Sequence, residues 1–166
     1  MKDIIEQLAN NREVFVGLLK NINQQRQLWR PSPEKWCLLE IVCHLYDEER
    51  DDFRFRTQWC LERPDETPPP FDPIVWVVER DYSEQDYNEM LLKFNAERDR
   101  SIDWLRGLKD APWENGFTHP KLGRMTARTY LVNWLAHDYL HIRQILRYRF
   151  ELLKQQGEDL RYAGNW

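Results

Sequence analysis

Residues 126–154 read TARTYLVNWLAHDYLHIRQILRYRFELLK. Tyr130, Trp134, His137, His141, Ile145 and Tyr148 recur at intervals of three and four, the period of a helix burying one face. Thr126 stands where a helix needs a side-chain acceptor for its free amides. The stretch therefore predicts one long helix, and that helix carries two of the four histidines of the chain. His137 and His141 are four residues apart, so both imidazoles project from the same face, one turn from each other. Two imidazoles so placed can chelate one ion, but His-x-x-x-His also arises on helices with no such role.

Working outward, three more segments repeat the helical period. The first, about Lys2 to Trp29, carries Ile5, Leu8, Phe15, Leu18, Leu19 and Ile22 as an apolar stripe. The second runs about Leu38 to Leu61 through Ile41, Leu45, Phe55 and Trp59. The third runs about Ser83 to Leu108, with Ser83 as its expected cap and Asp86 as a near match to a capping box. Between them lie Pro31–Pro33, the run RPDETPPPFDP ending at Pro73, and residues 111–123, APWENGFTHPKLG. Proline fixes φ and lacks an amide donor, so all three read as connections. The short run IVWVV, residues 74–78, has no strand partner in this reading and is expected as a short helix or packed loop. The fold expected is all-α, a four-helix bundle with a long crossover between helices 2 and 3, as a single domain over residues 1–166.

The 166 residues carry 24 Lys and Arg against 28 Asp and Glu, a net charge of −4. An acidic chain lacks the basic footprint that phosphate backbones demand, which weighs against nucleic acid as a partner. No run approaches the roughly 20 apolar residues of a membrane span. The charged N-terminus has no apolar leader, and three cysteines without zinc-type spacing fit a reducing compartment, so a cytoplasmic, soluble protein is expected.

His44 lies in the second helical segment, within CLLEIVCHLYDEER. If its face meets that of His137 and His141, three neutral imidazoles surround one cation and leave a coordination position open, the pattern of a catalytic divalent-metal site. Zinc, nickel and iron all accept nitrogen ligands of this kind. The competing reading makes His44 a hydrogen-bonded core residue. His119, before Pro120, reads as a turn or rim residue. Glu48, one turn after His44, is a candidate general base or a solvated charge in the run DEERDD. Asp138 is either an acceptor behind a ligand imidazole or the partner of an arginine from another helix. Arg143, Arg147 and Arg149 read as surface cations paired with acidic neighbours. The tryptophans read as core residues, although Trp134, one turn before His137, is also placed to line a cavity over the histidines.

The combination of Trp29-x-Pro31-x-Pro33-Glu34-Lys35-Trp36-Cys37, Glu40-x-x-x-His44, Gly123-x-Met125-Thr126 and His137-Asp138-x-x-His141-Ile142-x-Gln144-Ile145 resembles the DinB/YfiT-like superfamily of bacterial metal-binding four-helix bundles. The resemblance implies His44, His137 and His141 as ligands of one divalent metal per chain, an unusual bundle topology and a homodimer. It also implies a metal-dependent hydrolase, or a transferase that uses a low-molecular-weight thiol with a small-molecule substrate. A non-catalytic stress-associated protein that binds a metal or small ligand is the alternative. Cys37 departs from the Ser or Thr cap usual in the family. A poor cap predicts a weaker helix start, and a cysteine at a helix N-terminus is also a candidate reactive thiol.

Overall fold

The computed structural model describes residues 1–164; residues 165 and 166, the end of the expected single domain, lie outside the described residues. It contains α1 (Lys2–Leu19), α2 (Gln24–Leu28), α3 (Leu38–Asp47), α4 (Phe55–Glu62), α5 (Pro73–Glu79), α6 (Tyr87–Gly107) and α7 (Ala127–Lys154). A two-stranded antiparallel sheet, β1 (Gly116–His119) and β2 (Gly123–Thr126), lies between α6 and α7. The chain is a four-helix bundle. α1 packs against α6 and α7, and the helix running through α3 and α4 packs against the same two. The first and second bundle helices therefore occupy diagonal corners. The connection between the second and third is long, as expected, and IVWVV lies within α5, the short helix that occupies it.

The first predicted segment is two helices, not one. Asn21 takes a left-handed φ of 58° and breaks α1 off at Leu19. Asn23 then caps α2, its side chain accepting from the Arg26 amide. Both jobs suit asparagine, whose short amide tolerates left-handed backbone and competes for local amides. The third segment starts later than expected. Ser83 lies in a separate 3-10 turn, and the cap of α6 is Asp86, which accepts from the Glu89 amide at 2.8 Å. The Thr126 cap of α7 is as read, its side chain accepting from the Thr129 amide at 3.0 Å.

Two further features depart from the sequence reading. Residues 48–54 join α3 to α4 as a π-helical stretch, wider than an α-helix. The third connection is a β-hairpin, with Phe117 opposite Met125 in its register. Gly116 is required there: a Cβ would stand 2.0 Å from the Met125 carbonyl oxygen. At the other end of the hairpin Gly123 adopts φ +75°. Among the described residues no helix is long and apolar enough to cross a membrane.

Cys37 does not leave α3 uncapped. Glu40, at the third helical position, reaches back to accept from the Cys37 amide at 2.9 Å, one half of a capping box. Arg30 holds that carboxylate in place at 2.7 Å. The Cys37 thiol itself is buried, and burial raises its pKa, the opposite of what a reactive thiolate requires.

Candidate metal centre

α3 supplies His44, and α7 supplies His137 and His141. Their side chains meet between the two helices. His137 Nε2 lies 3.3 Å from His44 Nε2 and 3.0 Å from His141 Nε2. Their ligand atoms all lie within 4.8 Å of one another, and among the described residues no other His, Cys, Asp or Glu joins the group. Two nitrogens each about 2.0–2.1 Å from one ion, at coordination angles between 90° and tetrahedral, stand roughly 2.8–3.4 Å apart. The two separations made by His137 fall in that interval.

The protons make the same point. Nε2 of a neutral imidazole carries either a proton or a lone pair. His137 Nε2 faces two other Nε2 atoms, so at most one of the two contacts is a hydrogen bond. A cation at the centre would satisfy all three lone pairs. Burial keeps the rings neutral and available. It pushes His44 down to about 3 with the help of the charge on His141. It pushes His137 down to about 2, with His141, His44 and Arg98 adding to the effect. His141 is lowered by burial as well, with Gln144 and Asp138 working against the shift. Gln144 Oε1 lies 2.8 Å from His141 Nδ1, which assigns the proton to Nδ1 and leaves Nε2 to the centre. Trp36 packs on the His44 ring at a centroid distance of 4.8 Å, and Phe53 on the His137 ring at 5.0 Å. These donors fit a divalent metal.

The remaining candidates take other places. Glu48 is buried on the outer side of His44, its Oε1 3.9 Å from Nδ1, beyond hydrogen-bonding distance. Burial, reinforced by Asp52, raises its carboxyl, so it holds a proton rather than accepting one at neutral pH. Asp52 is in turn paired with Arg56 at 2.6 Å. His119 is the turn residue expected, its Nδ1 accepting from the amides of Lys121 and Leu122 at 3.1 Å. Trp134 takes the core place expected of the tryptophans and lines neither cavity that opens toward the histidines. It is 1% exposed, stacks on Phe53 and donates from Nε1 to Glu49 at 2.9 Å.

Asp138 pairs with an arginine. Arg98 of α6 is 1% exposed, and all five of its N–H donors are used. Nε donates to Glu49 Oε1 at 2.9 Å, and Nη1 to the Leu8 carbonyl and to Asp138 Oδ2. Nη2 serves Asp138 Oδ1 at 2.7 Å and Glu49 Oε2 at 2.8 Å. Asn11 of α1 donates to Asp138 Oδ2 at 3.0 Å. The cluster thus joins α1, the π-helical stretch, α6 and α7 directly beneath the histidines, and it holds the turn of α7 between His137 and His141. Sequence reasoning missed Asn11, Glu49 and Arg98. The available signal was that each sits on the apolar stripe of its helix, as Arg98 does between Phe94 and Ile102.

Two cavities open toward the histidines. One, of about 600 Å³, reaches His137 between the proline run, the hairpin and the Asp52–Arg56 pair. Arg56 also donates to the Pro69 carbonyl and lies over the Phe71 ring, fixing that wall. The other, of about 610 Å³, reaches His141 past Trp36 and Gln144. Leu140 lines both.

The family model of the DinB superfamily matches residues 7–145. The fold is similar to that of YfiT from Bacillus subtilis, described as a probable metal-dependent hydrolase with an unusual four-helix bundle topology. The TM-score is 0.79 at 19% identity, covering 95% of this chain and 88% of that one. No curated protein sequence matches.

Proposed function

Since the chain belongs to the DinB superfamily, we propose that it is a divalent-metal-dependent hydrolase whose metal is held by His44, His137 and His141. The observation that carries this reading is the convergence of three Nε2 atoms at a point that two substrate-sized cavities reach. A structural site is closed by a fourth protein ligand, whereas a catalytic one keeps a position for substrate. When bound, a divalent ion on three neutral nitrogens keeps its full charge and supplies Lewis acidity toward an oxygen or sulfur group. The protein does the rest. Gln144 sets the tautomer of His141, while Trp36 and Phe53 exclude water from two of the rings. The Arg98 cluster fixes the rotation of α7, and with it the approach of its two imidazoles to His44. The likeness to YfiT, itself described as a probable metal-dependent hydrolase, supports the same reading.

Transfer of a small thiol is the second reading, and a specific observation favours it. Two cavities meeting at one centre suit two substrates, and all three cysteines are buried. A reacting thiol would therefore come from solution. Elemental analysis tests the common premise. Purified protein is expected to hold about one divalent ion per chain, and His141→Ala to lose it while far-UV circular dichroism stays the same. Unchanged stoichiometry in that variant removes α7 from the site. Chelator-reversible turnover of esters alone, or only with an added thiol, then separates the two chemistries. A metal-loaded protein inert toward both panels would favour the binding role.

A further inference from the structure

The two cavities differ in charge. The one at His137 is walled by prolines and aromatic rings, and its one cation, Arg56, is already paired with Asp52. The one at His141 is lined by Lys35, Arg143 and Arg147 against a single carboxylate, Glu151, in a chain whose net charge is −4. Arg147 pairs with Glu151 at 2.7 Å, the surface pairing expected of these arginines. Arg143 does not follow that expectation: among the described residues it has no ion pair or hydrogen bond. Among the described residues the Lys35 ammonium makes no ion pair either; the carboxylate of its neighbour Glu34 accepts from Ser32 at 2.6 Å. Gln144 gives its oxygen to His141, which leaves its amide N–H groups as further donors at the same wall.

We propose that this cleft binds the carboxylate of a small anionic substrate and holds its reacting group at the imidazoles. The proposal rests on the metal reading above for where the reacting group lies, and on the cleft alone for the carboxylate. Guanidinium–carboxylate recognition is planar, forked and charge-assisted, and two unpaired cations beside a paired one supply it. The spacing limits the ligand. Arg143 and Arg147 follow His141 by two and six residues, roughly 3 and 9 Å along the helix axis at 1.5 Å per residue. Allowing for side-chain reach, the carboxylate stands about 5–9 Å from the group presented to the histidines, a spacer of some four methylenes. A cavity of about 610 Å³ accommodates such a molecule.

The test uses two probes on the zinc-loaded full chain: adipic monohydroxamate, with a free carboxylate four methylenes from the chelating end, and its methyl ester. The carboxylate form is expected to bind about tenfold more tightly by isothermal titration calorimetry. In Arg143→Gln/Arg147→Gln that ratio is expected to fall below threefold, and 0.5 M salt to shrink it in the wild type. Equal affinities for the two probes, or a ratio the double variant leaves intact, overturn the proposal. If neither probe binds zinc-loaded protein, it is overturned as well. If the protein takes no metal, the reading of the previous subsection fails, and titration of metal-free protein with adipate still decides the cleft. Saturable binding abolished in the double variant supports it, and no binding overturns it.

Discussion

Metal-free protein is expected to lose stability as the pH falls from 8 to 5, by an amount set by the buried imidazoles. His44 is held down to about 3 and His137 down to about 2, from an ordinary value of 6.5. At pH 5 both are neutral in the folded chain and protonated in the unfolded one. The unfolded state then binds more protons, so stability falls as pH drops through 6.5 and is fully restored above it. Each imidazole contributes about 1.4 kcal/mol per pH unit over the 1.5 units below its ordinary value, so about 2 kcal/mol each and about 4 kcal/mol for the pair. With a urea dependence of about 2 kcal/mol/M, the unfolding midpoint moves by about 2 M. Glu48, Asp52 and Glu49 carry raised carboxyl pKa values, chiefly from burial, and these work in the opposite sense. A raised carboxyl pKa in the folded state makes a contribution that weakens as pH rises. The clean observable is therefore a difference: urea unfolding of wild type and His44→Gln/His137→Gln at both pH values, with chelator present. The variant should lose most of the imidazole contribution and keep that of the carboxyls. A pH dependence equal to that of wild type within about 1 kcal/mol would show that the two rings are not held neutral together at the centre.

Arg98→Met should cost about 3–5 kcal/mol, because it strands Glu49 and Asp138 in the interior. Its melting temperature should fall by roughly 6–20 °C, and Arg98→Met/Glu49→Gln/Asp138→Asn should be distinctly more stable than the single variant. Equal or worse melting of the triple variant would mean that stranded charge is not the cause. Gly116→Ala should destabilise by about 1–3 kcal/mol, since its methyl must displace the Met125 carbonyl. Chemical denaturation reads this directly, and a neutral effect would place the hairpin elsewhere. Native protein should react with iodoacetamide at Cys37 far more slowly than unfolded protein, because burial both shields the thiol and raises its pKa. Mass spectrometry of the labelled peptide would show rapid native alkylation if that environment were wrong.

What could be read from the sequence was what depends on local spacing. The i, i+4 histidines, the Thr126 cap and the helical stripes are fixed by residues a turn or less apart. The resemblance extended this to His44 across the bundle. The buried ionic cluster was hidden because Glu49, inside DEERDD, looks like one more solvated charge. Only when α6 presents Arg98 and α7 presents Trp134 does that carboxylate acquire partners, and that is a tertiary fact. The hairpin was hidden by its shortness: four residues per strand, next to two prolines and two glycines, carry almost no period-two signal. The end of α1 was legible in principle, since Asn21 and Asn23 are suited to the left-handed and capping positions they occupy. An apolar stripe continuing through Ile22 concealed it.

The π-helical stretch at residues 48–54 has a consequence for the plasticity of the site. It behaves as an inserted residue absorbed without breaking the helix, so the segment carrying His44 and the segment carrying Arg56 are phased independently. Removing a single residue there would let the chain relax to ordinary α pitch. The downstream half would swing around the helix axis while the upstream half kept its seat. Cys60 and Arg56 would leave the hairpin and the proline wall, dismantling one entrance, yet the imidazole of α3 would still face its partners on α7. Such a shortened chain would keep its three histidines together and lose one of its two doors.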